Sequence, residues 1–182
     1  SRSATPLPAH ELHLWCAPLA ALEDAELEDA YRQFLNPDEE RRASTFRFAA
    51  DRRAFVLGRT LLRTTLSHHA DVAPGDWRFD FNAQGKPRVA ACHGTAQQLA
   101  FNLSHTRQLV ALILGRQRRL GVDVEALVAD HDPAIAERFF SPTENAALQD
   151  LDPSAQPTRF IELWALKESY LKARGTGLSL GL

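Results

Sequence analysis

Trp164-Ala165-Leu166-Lys167-Glu168-Ser169-Tyr170-Leu171-Lys172-Ala173-Arg174-Gly175-Thr176-Gly177-Leu178-Ser179-Leu180 is the stretch on which the reading of this chain turns. Its spacing predicts a helix that sets Trp164, Glu168 and Lys172 one turn apart. Phe160, Leu163, Trp164, Leu166, Tyr170 and Leu171 form a broad apolar arc on that helix. Glu168 and Lys172 fall together at one edge of the arc, where a core helix meets a cleft. Lys167 falls inside it, an expensive place for an ammonium without a partner. Gly175 and Gly177 are expected to stop the helix. Read alone, Glu168 and Lys172 are equally an ordinary surface pair, worth about 0.2–0.5 kcal/mol.

Two other segments change that balance. Arg119-Leu120-Gly121-Val122-Asp123-Val124-Glu125 alternates, which predicts a strand. Leu120, Val122 and Val124 would then face one way, and Gly121, Asp123 and Glu125 the other. Carboxylates two residues apart on one strand face stand about 7 Å apart at their Cα atoms. Both can reach one hard divalent cation, and Glu168 would add a third oxygen ligand. Mg²⁺ so held keeps positions for water and substrate phosphates. The plainer reading is a half-exposed strand with a solvated acidic face.

The second segment is Leu99-Ala100-Phe101-Asn102-Leu103-Ser104-His105-Thr106, an apolar strand ending in Ser-His before another apolar run, Leu109 to Leu114. A histidine at a strand mouth can pair with a phosphate. A serine and backbone N–H groups can do likewise. A capped hairpin turn explains the same residues.

Composition bounds the function classes. A chain of 182 residues makes one ordinary domain or two small lobes. Apolar residues are 45% and charged residues 24%, as in soluble globular proteins. A net charge of −2 argues against a general nucleic-acid binder. No apolar run reaches the roughly 18 residues of a membrane helix. Cys16 and Cys92 lack CxxC spacing and are expected to be buried thiols in a reducing compartment, hence a cytoplasmic location. Ser1 to Pro8 is expected to be a loose tail.

Strands are expected over Glu11–Ala17, Trp77–Phe81, Arg88–Ala90, 99–103, 108–114 and 119–125. The turn Asn82-Ala83-Gln84-Gly85 joins the second and third of these. Helices are expected over Leu22–Phe34, from Pro37, and over Asp51–His69, Pro133–Phe140, Thr143–Leu151 and Thr158–Arg174. Leu57 to Arg63 faintly echoes Leu166 to Lys172.

Gly85-Lys86-Pro87, Phe101-Asn102-Leu103-Ser104-His105, Gly121-Val122-Asp123-Val124-Glu125, Arg138-Phe139-Phe140-Ser141-Pro142-Thr143-Glu144 and Trp164 to Lys172 together resemble the 4′-phosphopantetheinyl transferase superfamily. The resemblance is to its longer, single-chain, carrier-protein-activating type, and covers about Pro37 to Leu182. It implies an α+β fold of two similar halves with the site between them. The halves would be residues 1–117 and 118–182, the second incomplete, since the family normally continues with further strands.

The resemblance implies transfer of 4′-phosphopantetheine from coenzyme A to a serine of an acyl or peptidyl carrier protein, with release of 3′,5′-ADP. It implies Asp123, Glu125 and Glu168 as Mg²⁺ ligands, with Glu168 also the candidate base. Lys172 would meet the pyrophosphate, with Lys167 a weaker candidate. His105, with Ser104 beside it, would meet the 3′-phosphate. Lys86 would contact a phosphate or the nucleotide, and Arg42 would bring a cation near the 3′-phosphate. Arg59 and Arg63 could assist. Glu144 sits at a family acidic position, although a helix-start carboxylate explains it equally well. A monomer without membrane or nucleic-acid partners is expected. Two alternatives stay open: another Mg²⁺-dependent phosphoryl-transfer enzyme, and a non-catalytic module that binds coenzyme A or carrier proteins.

Overall fold

The computed structural model describes residues 4–22, 25–116, 118–127 and 133–176. Strand β1 covers His13–Pro18; helices α1 (Ala25–Arg32), α2 (Pro37–Thr45) and α3 (Ala49–His69) follow. A short hairpin, β2 (Phe79–Phe81) and β3 (Pro87–Val89), leads into a longer one, β4 (Leu99–His105) and β5 (Leu109–Arg116). Helices α4 (Pro133–Phe139), α5 (Pro142–Gln149) and α6 (Gln156–Arg174) come last. The α+β class expected from the sequence is the one observed.

The main sheet is antiparallel in the order β1-β5-β4, so the most apolar strand lies in the middle. Its register pairs His105 with Val110 and Leu99 with Arg116. The long helix α3 lies across this sheet because its apolar residues recur at helical spacing. Leu62, Leu66, Trp77, Phe101, Leu112 and Leu114 share one core there, and Ala54, Leu57 and Val110 share a second. A third core joins α4, α5 and α6 through Ala136, Phe140, Leu148, Phe160 and Leu163.

Arg63 explains how α3 is tied down. Its side chain is fully buried, donating to Glu39 at 2.8 Å and to the carbonyls of Pro74 at 2.7 Å and Trp77 at 3.2 Å. Arg63 is thus a brace between α2, α3 and the segment 74–77, outside the lining of the cavity to which its sequence echo, Lys172, contributes.

Three expectations are corrected. Residues 119–125 form no strand and pair with none among the described residues; the loop is held by side chains and by α6 instead. Cys16 and Cys92 are exposed free thiols. Cys16 sits on β1, a sheet edge that also leaves Leu14 and Trp15 in solvent. The described part of the expected loose tail, residues 4–8, is anchored: Leu7 is 1% exposed, and Thr5 bonds both the His68 carbonyl and the His69 ring. Of the apolar arc on α6, Phe160, Leu163 and Leu171 are buried, while Leu166 and Tyr170 face solvent. The stop expected at Gly177 lies outside the described residues.

Candidate functional site

Strand β4 ends with side chains alternating between the core and a cleft. Ser104 points toward the loop 120–125, where its hydroxyl donates to Asp123 Oδ1 at 2.9 Å. From α6, the Lys172 ammonium donates to Ser104 Oγ at 2.8 Å and to Asp123 Oδ1 at 2.5 Å. Three segments distant in sequence therefore meet at one buried carboxylate. The Asp123 side chain is only 4% exposed, and its second oxygen, Oδ2, is buried without a hydrogen-bond partner. A buried anionic oxygen left unpaired is costly.

The loop carrying Asp123 is placed by two residues that sequence reasoning did not single out as site residues. The Val122 N–H donates to Asn102 Oδ1 at 2.8 Å, and Asn102 is itself buried on β4. A Cβ on Gly121 would stand 1.8 Å from the Ser169 carbonyl oxygen and 2.5 Å from the Ala173 nitrogen of α6. Only glycine lets loop and helix backbones approach this closely. The available signals were an asparagine inside an apolar strand and a glycine beside an acidic pair.

Glu125 and Glu168 flank the same spot. Partial burial and the Asp123 charge hold the Glu168 carboxyl above the ordinary carboxylate range, against the pull of Lys172. Glu125 is raised by burial and by Asp123 and Glu168, against a hydrogen bond from Trp164 and the charge of Lys172. The three carboxylates therefore feel one another. As placed, no group of three acidic or imidazole side chains among the described residues closes on one point. The unpaired Asp123 Oδ2 and the mutual repulsion nevertheless fit a divalent cation, which would satisfy the one and relieve the other.

Two of the cavities beside β4 share the wall Pro87, Asn102 and Leu103. One, about 350 Å³, runs from Gln84 and Gly85 past Lys86 to Glu168 and Lys172. The other, about 220 Å³, lies between α3 and β4 and is lined by Arg59 and His105. His105 is pushed below its usual value by partial burial and by the Lys172 charge, against the pull of Asp51. Arg59 is lowered chiefly by burial, and feels Glu39, Arg63 and Arg42 in turn. Arg59 thus brings a guanidinium beside the His105 ring in this second cavity, and feels the charge of Arg42 from α2. Arg42 itself is exposed on α2, its guanidinium over the Phe46 ring at 5.7 Å.

The remaining expected site residues take other positions. Lys86 lines the larger cavity, but its ammonium donates to the carbonyls of Leu120 at 2.9 Å and Ala173 at 3.1 Å, and to that of Lys172. Lys167 finds the partner its position demanded: it meets Glu144 at 2.8 Å and lies over the Phe140 ring. Glu144 also closes the capping box at the start of α5 with Ser141. Burial raises its carboxyl, but the bonds from Lys167 and Ser141 outweigh this and leave it lowered. Lys167 and Glu144 therefore join α5 to α6 away from the Asp123 cluster.

Comparison with known proteins bears on this arrangement. Residues 23–116 match the family described as 4′-phosphopantetheinyl transferase, N-terminal, and residues 119–182 match the 4′-phosphopantetheinyl transferase superfamily. The chain is 37% identical to the 4′-phosphopantetheinyl transferase HetI of Nostoc, over 95% of this chain and 72% of that protein. It is 32% identical to the 4′-phosphopantetheinyl transferase Sfp of Bacillus subtilis, over 86% of this chain and 67% of that one. A holo-(acyl-carrier-protein) synthase from Bacillus anthracis, solved with coenzyme A (3′,5′-ADP), overlays on 57% of this chain and 91% of its own at a TM-score of 0.43 and 16% identity.

Proposed function

Because this chain belongs to the 4′-phosphopantetheinyl transferase superfamily, we propose that the cleft between β4, the loop 120–125 and α6 carries phosphopantetheine from coenzyme A to a carrier-protein serine. The observation that carries this reading is the meeting of Ser104, Asp123 and Lys172 beside an unpaired buried oxygen, next to a cavity that Lys172 and Glu168 also line.

In this reading the carrier hydroxyl attacks the β-phosphate of coenzyme A. A P–O bond forms to the serine, the bond to the bridging pyrophosphate oxygen breaks, and 3′,5′-ADP leaves. Glu168, held above the ordinary carboxylate range, takes the hydroxyl proton directly or through a water. Lys172 would meet the pyrophosphate charge and supply a proton to the departing oxygen. Ser104 orients both Lys172 and Asp123, accepting from one and donating to the other. Asp123, Glu125 and Glu168 would hold Mg²⁺, which when bound neutralises pyrophosphate charge. His105, with Arg59 and Arg42 behind it, receives the 3′-phosphate, which would draw a proton back onto the depressed imidazole.

The joint between the two halves falls near residues 115–119 in this proposal, and the protein acts as a cytoplasmic monomer without nucleic-acid or membrane partners. Among the described residues no helix is long and apolar enough to cross a membrane. Mass spectrometry of an apo-carrier protein incubated with this chain, coenzyme A and Mg²⁺ tests the reading. A gain of the phosphopantetheine mass is expected. Phosphate release from simple diphosphates with every carrier left unmodified would overturn it.

A further inference from the structure

We infer that the turn Asn82–Lys86 is a clamp on the C-terminus of α6, and that Lys86 and Asn82 are positioning residues for Lys172. This rests on the function proposed above but assigns Lys86 a task other than binding phosphate.

The last carbonyls of a helix have no partners within it. At the end of α6, Gly175 adopts φ 70° and returns its N–H to the Leu171 carbonyl, leaving later carbonyls open. The hairpin turn supplies their donors from far away in sequence. Lys86 Nζ reaches the carbonyls of Lys172, Ala173 and Leu120. An ammonium has three donors, so these contacts use all of them. Asn82 Nδ2 donates to the Gly175 carbonyl at 3.0 Å. Asn82 Oδ1 accepts from Gln84 N at 3.1 Å and Lys86 N at 2.7 Å, so one side chain both shapes the turn and fastens it to the helix. A Cβ on Gly175 would press on Asn82 Nδ2 at 3.1 Å and Lys86 Cδ at 3.2 Å.

The surroundings decide between the two tasks. A cation at a helix C-terminus is favoured by the helix dipole. A phosphate drawn to the same ammonium would face three carbonyl oxygens and the negative end of α6. Lys172, by contrast, is gripped at both ends: its carbonyl by Lys86, its ammonium by Asp123 and Ser104. A slip of one residue would turn Lys172 by about 100° around the helix axis, out of reach of Asp123. Because Gln84, Gly85 and Lys86 also line the larger cavity, one turn serves as both wall and clamp.

The test compares Lys86→Met, Lys86→Arg and Asn82→Ala with the wild-type chain. Steady-state kinetics with coenzyme A and a carrier are read alongside amide exchange over residues 166–176. Lys86→Met and Asn82→Ala are expected to lower kcat at least about tenfold by misplacing Lys172. KM for coenzyme A should stay within about twofold, exchange should quicken, and Lys86→Arg should recover part of kcat. A higher KM with kcat and exchange unchanged would return Lys86 to phosphate binding and overturn the clamp; so would no change at all. Asn82→Ala removes less than Lys86→Met and serves where the latter does not fold. If the wild-type chain transfers nothing, the proposed function fails, while amide exchange still judges the clamp.

Discussion

Asp123 presents two unlike carboxylate oxygens. Oδ1 is shared by a hydroxyl and an ammonium, and Oδ2 has no partner. Asp123→Ala or Glu168→Ala should lower turnover about a hundredfold, the scale on which one main electrostatic group acts. A loss of only a few fold, measured by mass-resolved carrier modification, would remove that residue from the reaction. His105 makes a separate prediction. Burial and Lys172 depress its imidazole, so it enters the neutral range neutral. A depressed histidine adds stability that is present above its unfolded value and lost as pH falls through its folded one. Adding 3′,5′-ADP should raise its NMR titration midpoint, and a ligand lacking the 3′-phosphate should not. Equal midpoints with both ligands would place the phosphate elsewhere.

Among elements, the loop 120–125 shows where sequence patterns inform and where they mislead. Its alternation was legible and read as a strand. The same alternation suits a segment squeezed between β4 and α6, with Leu120 buried and Asp123 turned to Ser104. Period alone cannot say whether the Val122 N–H meets a neighbouring strand or the side chain of Asn102. Gly121→Ala therefore tests packing. Its Cβ would overlap the Ser169 carbonyl, so loop and helix must separate. The variant should lose both thermal stability and most turnover. An unchanged melting temperature with full activity would show that the close approach is dispensable. The helices were legible because their apolar residues recur at 3.6; α3 and α6 lie within a few residues of where that spacing puts them. Lys86 was legible as a cation beside the cleft. Whether it met phosphate or carbonyl depends on where a helix ends in space, which no local pattern encodes.

For the whole molecule, the acidic cluster ties folding to pH and to divalent ions. Glu125 and Glu168 are both raised above their ordinary value of 4.5. The fold thus prefers their protonated forms: the stability they contribute is complete below that value and is lost as pH rises through their folded values. A cation that binds the ionised carboxylates should offset the loss. Mg²⁺ is expected to raise the melting temperature near about pH 7.5 and to do so much less near about pH 4, below the raised values of Glu125 and Glu168. An equal shift at both values, seen by differential scanning fluorimetry, would argue against the cluster as its site.

The core of α4 to α6 shares no member with the two cores built on the sheet. Asp123 and Ser104 face Lys172 across that division, so the meeting of these three side chains depends on how two separately packed masses are docked. Docking of this sort yields to mild denaturant before either mass melts. Turnover should fade at urea concentrations that leave the far-ultraviolet circular dichroism intact; coincident loss of both would mean that the pieces unfold as one.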